Sequence, residues 1–456
     1  MTSRQSLRAF LDRLEAEGQL LRIGELVDRR FEISALLNEV WDGPAVLFER
    51  VQGSQLPVVG NILNSLARFA DGLGTTPAEL QPRIIAAIGR PLPSRQIDAG
   101  PCQEVAIENP DLAELPIPHF FEGETGPYIT AGAIIAADGA TGSRNLSFAR
   151  LKPLGGNRAF IGIAPNHHLA QLARAAKARG EKLPIAVTLG NHPAVLTAAA
   201  LYLGLGDDEL EVAGALLGEP IEVVRCRTSP LLVPAHCEMV LEGVLDAGEL
   251  IEEGPVSEFH GLYESYGKGQ VVTFQCLTRR QNAIYQAIQP GYHPEHVLIG
   301  GVAIAAGLAR HVRSTVPSLH RVAVGMGGAG RLHAVVSLKD PRPGDARKAM
   351  FAIWGAVNLI KQITVVDEDI DPEDPQQVEW ALATRMKADR DLVVVPGVRA
   401  DRSEPLEQDG LVAKLGIDAT RRPGDRADWR RAAPPAAAVE KARRLLENAR
   451  KRGGRS

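Results

Sequence analysis

An α+β fold with a β-rich centre is the architecture this 456-residue sequence predicts, and three observations predict it. The 45 glycines and 31 prolines follow no period, which calls for many turns and argues against a helical bundle. Short runs rich in β-branched residues crowd the middle of the chain, with only two helical patterns among them. Helices and strands are mixed on both flanks of that region. The length is about three times that of a typical domain. We divide it into an α/β lead-in (residues 1–105), a central unit built around a barrel or sandwich (106–295), a second α/β unit that opens with a linking helix (296–431) and a basic helical tail (432–456).

In the lead-in, Leu7, Phe10, Leu11 and Leu14 fall on one helical stripe, so residues 6–17 form an amphipathic helix. A strand at 19–23 and helices at 33–41 and 82–88 follow. A proline-rich stretch (Pro91, Pro93, Pro110, Pro116, Pro118) marks the boundary. The central unit carries strand patterns at 129–137, 145–153, 160–163, 185–189, 221–226, 239–245 and 270–277, with helices at 169–179 and 208–217. A helix over 295–314 leads to the last unit, with strands at 322–324, 333–337, 363–366 and 392–395 and helices at 345–361 and 376–383. In the tail, Val439, Ala442 and Leu446 lie on one helical face, which calls for a partner surface.

Charge is uneven. The net value is −4, but residues 420–456 carry 12 Lys/Arg against 4 Asp/Glu, which leaves an acidic body unsuited to a run of nucleic-acid phosphates. Cys102, Cys226, Cys237 and Cys276 form no C-x-x-C pair, so neither a zinc finger nor a disulfide framework is expected. The first helix is charged, unlike a signal peptide, and no apolar run is long enough to span a membrane; a cytoplasmic, soluble protein is expected.

Several motifs are weaker than they look. Gly325-Met326-Gly327-Gly328-Ala329-Gly330 fits G-x-G-x-x-G, but a dinucleotide fingerprint requires a helix to begin there, and Arg331 to Ser337 reads as a strand. A glycine hairpin or loop is the better reading. His293 and His296 are separated by a proline that breaks the face a zinc helix would need, and His236, Cys237 and Glu238 alternate sides if they lie on a strand. Arg150 is more informative. It follows Asn145-Leu146-Ser147-Phe148-Ala149 within a largely apolar strand, where an unpaired guanidinium is costly, so it requires a carboxylate partner. The acidic segment from Glu252 to Gly261 offers Glu253 and Glu258 on either side of a Gly-Pro turn.

Asn-Leu-Ser-Phe-Ala-Arg, then His168, then Glu209, then Glu-Gly-Pro-x-x-Glu-x-His-Gly (residues 253–261), taken in this order, resembles the UbiD family of decarboxylases, which use prenylated FMN. The resemblance runs from the first helix to about Arg422 and implies a flavin-binding, split β-barrel-like central domain and a C-terminal α/β oligomerisation domain. It implies that Asn145, His168 and Glu209 are the ligands of a divalent metal, Mn²⁺ or Mg²⁺, which an amide, an imidazole and a carboxylate would suit. His167 and Glu211 are the adjacent alternatives. It implies cofactor contacts from Thr130, Ser147, Arg150, His168 and Lys361, and a K⁺ ion held by backbone carbonyls near residues 198–202.

Arg150, Glu253 and Glu258 would then form the family's catalytic Glu-Arg-Glu network, with Glu258 as proton donor. The implied activity is a reversible, non-oxidative decarboxylation of an aromatic, heteroaromatic or α,β-unsaturated acid, with CO₂ as co-product. A flavin prenyltransferase would supply the cofactor, and a homodimer or higher homo-oligomer is expected. Tyr263–Tyr266, Gln289–Tyr292 and the 325–330 loop are candidates for the pocket lining. Two departures from the family pattern bear on substrate class: Arg225 stands where many relatives have Lys, and Leu201-Tyr202 replaces a Met-Pro-like pair. The rival readings are a non-catalytic UbiD-like subunit of a carboxylase complex and a plain flavin-binding reductase, which would need neither Glu253 and Glu258 nor a metal.

Overall fold

Ser6 starts the first helix by accepting the Ala9 amide, and Leu7–Ala16 then buries its Leu7, Phe10, Leu11 and Leu14 stripe. The computed structural model describes residues 3–422, 424–426 and 428–453. Beside this helix lies a sheet of Leu20–Val27, Ala45–Val51, Val58–Gly60 and Tyr285–Gln286. Its last strand comes from far along the chain, so the lead-in is tied to the end of the central unit. One hydrophobic core accordingly runs from Leu7 through both.

The centre is an eight-stranded sheet. Along its main path the order is Arg144–Phe148, Ala133–Ala137, Leu183–Leu189, Met239–Glu252, Lys268–Arg279, Arg158–Gly162, Arg150–Gly155, with Val105–Glu108 paired to the end of Lys268–Arg279. The first and last strands of that path are neighbours in sequence, separated by Ala149 alone, so the sheet must curl round on itself. The α+β expectation therefore holds, as an open split barrel between two α/β flanks. The single strand expected over 145–153 is two strands on either side of the seam.

Helix Pro193–Ala199 was not foreseen. All seven of its residues are buried, and an apolar run of that length shows no helical period. The expected 345–361 helix stops at Ala356, where Val357 turns extended and Asn358 follows. The last unit's sheet has the order Leu319–Ala323, His333–Leu338, Gln362–Asp367, Leu411–Asp418, Leu392–Arg399. Strand Leu411–Asp418 was also unforeseen. Its Lys414 is buried with its ammonium on the carbonyls of Asn358 and Ile360 (2.5 and 2.7 Å), and a Cβ on Gly416 would meet Met350 Sδ.

The 325–330 segment is a hairpin connection, as its sequence suggests. Its glycines serve close packing: a Cβ on Gly330, where φ is +67°, would collide with the carbonyl of Val297 in helix Pro294–Arg313. His236 pairs with Glu222 (2.6 Å), Glu238 takes Arg8 and Arg280, and Cys237 is buried, so those three neighbours do not converge. All four cysteines are free and buried. Among the described residues no helix is long and apolar enough to cross a membrane.

Glu295, fully buried at the start of Pro294–Arg313, accepts the amides of Asn61, Ile62 and Leu63 at 2.9, 2.8 and 3.1 Å and so locks the lead-in to that helix. Burial pushes its carboxyl up to about 7, against the three amides and Arg68, which favour the charge. A carboxyl raised in the folded state contributes stability below the unfolded value, and that contribution is lost as pH rises through 7. The unfolding free energy of the wild type, measured against Glu295→Gln, is expected to fall by about 2–3 kcal/mol between pH 5 and pH 8. Urea titrations of both proteins across that range check it; parallel pH profiles would refute it.

Candidate active site

The seam of the barrel gathers most of the chain's candidate residues. On strand Arg144–Phe148, Asn145 lies opposite Ala136 and Ser147 opposite Ile134. Helix Glu209–Leu217 begins beside this strand. Asp208 caps it by accepting the Leu210 amide and also takes Arg144 at 2.5 Å, which pins helix to strand. The result brings Glu209, 2% exposed, onto Asn145 Nδ2 (3.2 Å) and the Leu146 amide (2.8 Å). Burial raises the Glu209 carboxyl to about 7, and no cation pairs with it among the described residues. Ser147 Oγ donates to Asn145 Oδ1 at 3.5 Å, and Thr130 Oγ1 accepts the Ile288 amide at 3.1 Å.

The alternatives separate by environment. Glu211 is only partly buried and lines an outer cavity of about 750 Å³ with Arg144 and Asp207. His168 is the first residue of helix His168–Ala178, which packs against strand Arg144–Phe148, but no hydrogen bond joins it to Asn145 or Glu209 among the described residues. His167 precedes it; burial and then the nearby Arg402 lower its pKa. Among the described residues no three His, Cys, Asp or Glu side chains gather as a metal cluster; the Asn145, His168, Glu209 set holds only two of those types. Lys361 is not at a helix end. It directly precedes strand Gln362–Asp367, and its ammonium sits 2.6 Å from the buried Glu404.

Across the seam, Arg150 stands opposite Gly162, where a Cβ would lie 2.9 Å from the guanidinium carbon. Its Nε and Nη2 donate to the two Glu253 oxygens, each at 2.6 Å, while Nη1 lies 3.8 Å from Glu258 Oε1. Burial opposes the Arg150 charge, but Glu253 and then Glu258 outweigh it, and the group stays above its ordinary value. Glu253 is 2% exposed, and its backbone carbonyl accepts both Lys152 and Thr125. Glu258 is held less tightly: among the described residues its side chain accepts the Phe259 amide at 3.3 Å, and the Tyr266 phenol lies beside it. The preceding Ser257 is fixed by buried Glu124, 2.6 Å from its hydroxyl.

Five side chains complete the surroundings. The Tyr266 ring lies under both Arg150 (5.1 Å) and Arg402 (4.3 Å), and burial followed by the Glu258 charge raises its phenol pKa. Arg331 lies over Phe259 at 4.5 Å, and His296 is close to it. Sequence reasoning placed Tyr266 in a candidate lining but missed Arg331, Arg402, Lys152 and Glu124. Lys152 carries the same signal that marked Arg150, a cation within an apolar strand; Arg402 comes from a loop of the last unit and carries none.

Family models match nearly the whole chain: the N-terminal domain of 3-octaprenyl-4-hydroxybenzoate carboxy-lyase at residues 11–88, its Rift-related domain at 95–293 and its C-terminal domain at 297–419. The chain belongs to the UbiD family. It is a prenylated-FMN-dependent carboxy-lyase of that family. Among UbiD-class structures, HmfF from Pelotomaculum thermopropionicum in complex with FMN is 38% identical, with a TM-score of 0.91 over 96% of this chain and 99% of that one. An evolved dimeric form of HmfF in complex with prenylated FMN is 37% identical, with a TM-score of 0.88 over 95% and 98%. The anhydromevalonate phosphate decarboxylase of Methanothermobacter thermautotrophicus is 35% identical over 91% of this chain and 96% of its own length.

In this UbiD-family site, removing the fork of Arg150 leaves Glu253 buried and unpaired. Arg150→Met is expected to lower the unfolding free energy by about 3–5 kcal/mol, and Arg150→Lys by clearly less, because one ammonium still meets the carboxylate. Calorimetric melting of the three proteins checks this; equal losses in both variants would show that charge pairing with Glu253 is not what the arginine supplies.

Proposed function

We propose that the chain reversibly decarboxylates an aromatic, heteroaromatic or α,β-unsaturated acid, with Glu258 as proton donor in a network of Glu253, Arg150 and Glu258. The observation that carries this reading is the asymmetry of the two carboxylates around one guanidinium. Glu253 is saturated by the Arg150 fork at 2.6 Å, whereas Glu258 stands 3.8 Å from the remaining nitrogen and is free to exchange a proton.

The residues present fit the family's cofactor. Glu209 is a desolvated carboxylate whose charge a cation would restore, and Asn145, beside it, can turn its amide oxygen to the same point. Asn145, His168 and Glu209 would hold Mn²⁺ or Mg²⁺; Thr130, Ser147, Arg150 and His168 would hold the flavin and its phosphate. Lys361 joins that set only through the family resemblance, since Glu404 holds its ammonium, and so does K⁺ at the carbonyls of residues 198–202. Prenylated FMN, when bound, supplies the electron sink that loss of CO₂ from an unsaturated carbon requires.

The protein's own part is positional and acid–base. Arg150, fixed by Glu253, presents Nη1 toward Glu258 and an incoming carboxylate. CO₂ leaves without its bonding pair, Glu258 gives its proton to the carbon that retains the pair, and water reprotonates Glu258. The same steps in reverse give carboxylation. Relatives named for decarboxylating anhydromevalonate phosphate and 3,4-dihydroxybenzoic acid support the substrate range. A flavin prenyltransferase would supply the cofactor. Self-association would use the last unit, whose edge strand Leu392–Arg399 leaves Val394 64% exposed, and the tail helix Ala436–Gly453, with Leu446 at 59%.

The test is Glu258→Gln, co-expressed with a flavin prenyltransferase and purified without air. Turnover is expected to fall at least about a hundredfold, with prenylated FMN (by mass) and about one Mn per chain (by elemental analysis) retained. Loss of the flavin in that variant would make Glu258 structural rather than the acid. Plain FMN without metal in the wild type would favour a reductase.

A further inference from the structure

We propose that the acid taken by this site carries a second anionic group, a carboxylate or a phosphate, besides the carboxylate it loses, and that Arg331 pairs with that group. This rests on the decarboxylase reading and goes beyond it to the substrate class.

Arg331 directly follows the glycine hairpin loop of the last unit. Its guanidinium is flattened between two surfaces. On one side is the ring of Phe259, 4.5 Å away; on the other is helix Pro294–Arg313 at Gly300, where a Cβ would lie 2.6 Å from Nη2. Any larger residue at 300 would displace it. Phe259 is the neighbour of Glu258, so Arg331 stands beside the proposed proton donor. Yet it has no partner: Nη1 is buried without an acceptor, and among the described residues no carboxylate lies within ion-pair distance of the guanidinium.

The surrounding groups do not neutralise it. Glu258, Tyr266, Tyr202 and Asp401 act on it only at longer range, and burial leaves its pKa below the ordinary arginine value. Burial and then Arg331 itself push His296 down to about 3, so that ring is neutral. Arg150 differs in being paired: its Nε and Nη2 donate to both oxygens of Glu253. The two arginines also lie over different rings, Arg150 over Tyr266 and Arg331 over Phe259. A monoanion gives its charge to the Arg150–Glu258 end alone. A dianion can place one charge there and the other on Arg331, relieving a desolvated cation through a planar, two-pronged contact.

The experiment uses the cofactor-loaded Glu258→Gln protein, in which binding is read without turnover, with and without Arg331→Gln. Two matched probe pairs differ in the second anionic group: (E,E)-hexa-2,4-dienedioate against its monomethyl ester, and (E)-4-phosphooxybut-2-enoate against (E)-4-hydroxybut-2-enoate. Titration calorimetry is expected to show, in at least one pair, binding of the member with the second anionic group on the order of tenfold to a hundredfold tighter. Arg331→Gln should abolish that ratio and Arg331→Lys should keep part of it. Preference within the first pair assigns a carboxylate, within the second a phosphate.

No preference in either pair overturns the proposal. So does a ligand-free Arg331→Gln protein that melts well below its parent, since removing an unpartnered, partly buried cation should leave stability nearly unchanged or raised. The readouts for the two readings are separate. If the Arg331-dependent preference is found but the protein with Glu258 and Arg331 intact decarboxylates no probe, the Arg331 assignment stands and the proposed substrate range falls.

Discussion

Closing the central sheet forces one residue, Ala149, to carry the chain from one end of the strand order to the other. Everything at the site follows from that crossing. Before it, the strand follows the edge where Glu209 docks on the Leu146 amide; after it, Arg150 stands opposite Gly162 and reaches Glu253. Without the seam, Asn145 and Arg150 would lie five residues apart along one continuous strand and would point to opposite faces. The bend lets one short segment serve two clusters, a carboxylate–amide pair on one side and a guanidinium network on the other.

Charges buried around the seam are resolved in three ways. Arg150 and Glu253 neutralise each other through paired hydrogen bonds, and Lys152 is satisfied by the Glu253 carbonyl and Thr125. Among the described residues Glu209 is stabilised by amide donors alone, and burial raises its pKa. Arg331 has no acceptor among the described residues for its buried nitrogen. The first is a rigid scaffold; the other two are sites whose electrostatics improve when an ion of opposite sign arrives. A core optimised for stability alone would fill those positions with paired or apolar groups.

The sequence made legible whatever is local or periodic. The Leu7, Phe10, Leu11, Leu14 stripe and the β-branched runs announce their elements, and the order Asn145, Arg150, His168, Glu209, Glu253, Glu258 announces a family. An arginine within an apolar strand also required a carboxylate on physical grounds alone, and Glu253 meets it. Features that depend on distant packing were not legible. Strand Leu411–Asp418 hides because Lys414 and Gly416 break its pattern, although each has a tertiary reason to be there. Lys361 reads as the end of a helix that in fact stops at Ala356. Arg331 reads as the first residue after a glycine turn, and only the positions of Phe259 and Gly300 show that its guanidinium is confined.

The site is also composite in a way that no single unit predicts. Glu295 fastens the start of helix Pro294–Arg313 to the lead-in through Asn61, Ile62 and Leu63, and Gly300 of the same helix backs Arg331. Arg402, from a loop of the last unit, lies on Tyr266, which in turn lies under Arg150 of the central unit. Glu404 of that loop holds Lys361. A change in how the last unit sits would therefore move Arg331 and Arg402 together relative to Glu258, while the Arg150–Glu253 pair, built wholly within the barrel, stayed fixed. The division of labour follows: the barrel sets the geometry of the proposed acid–base chemistry, and the flanking units set the charge that meets the rest of the substrate.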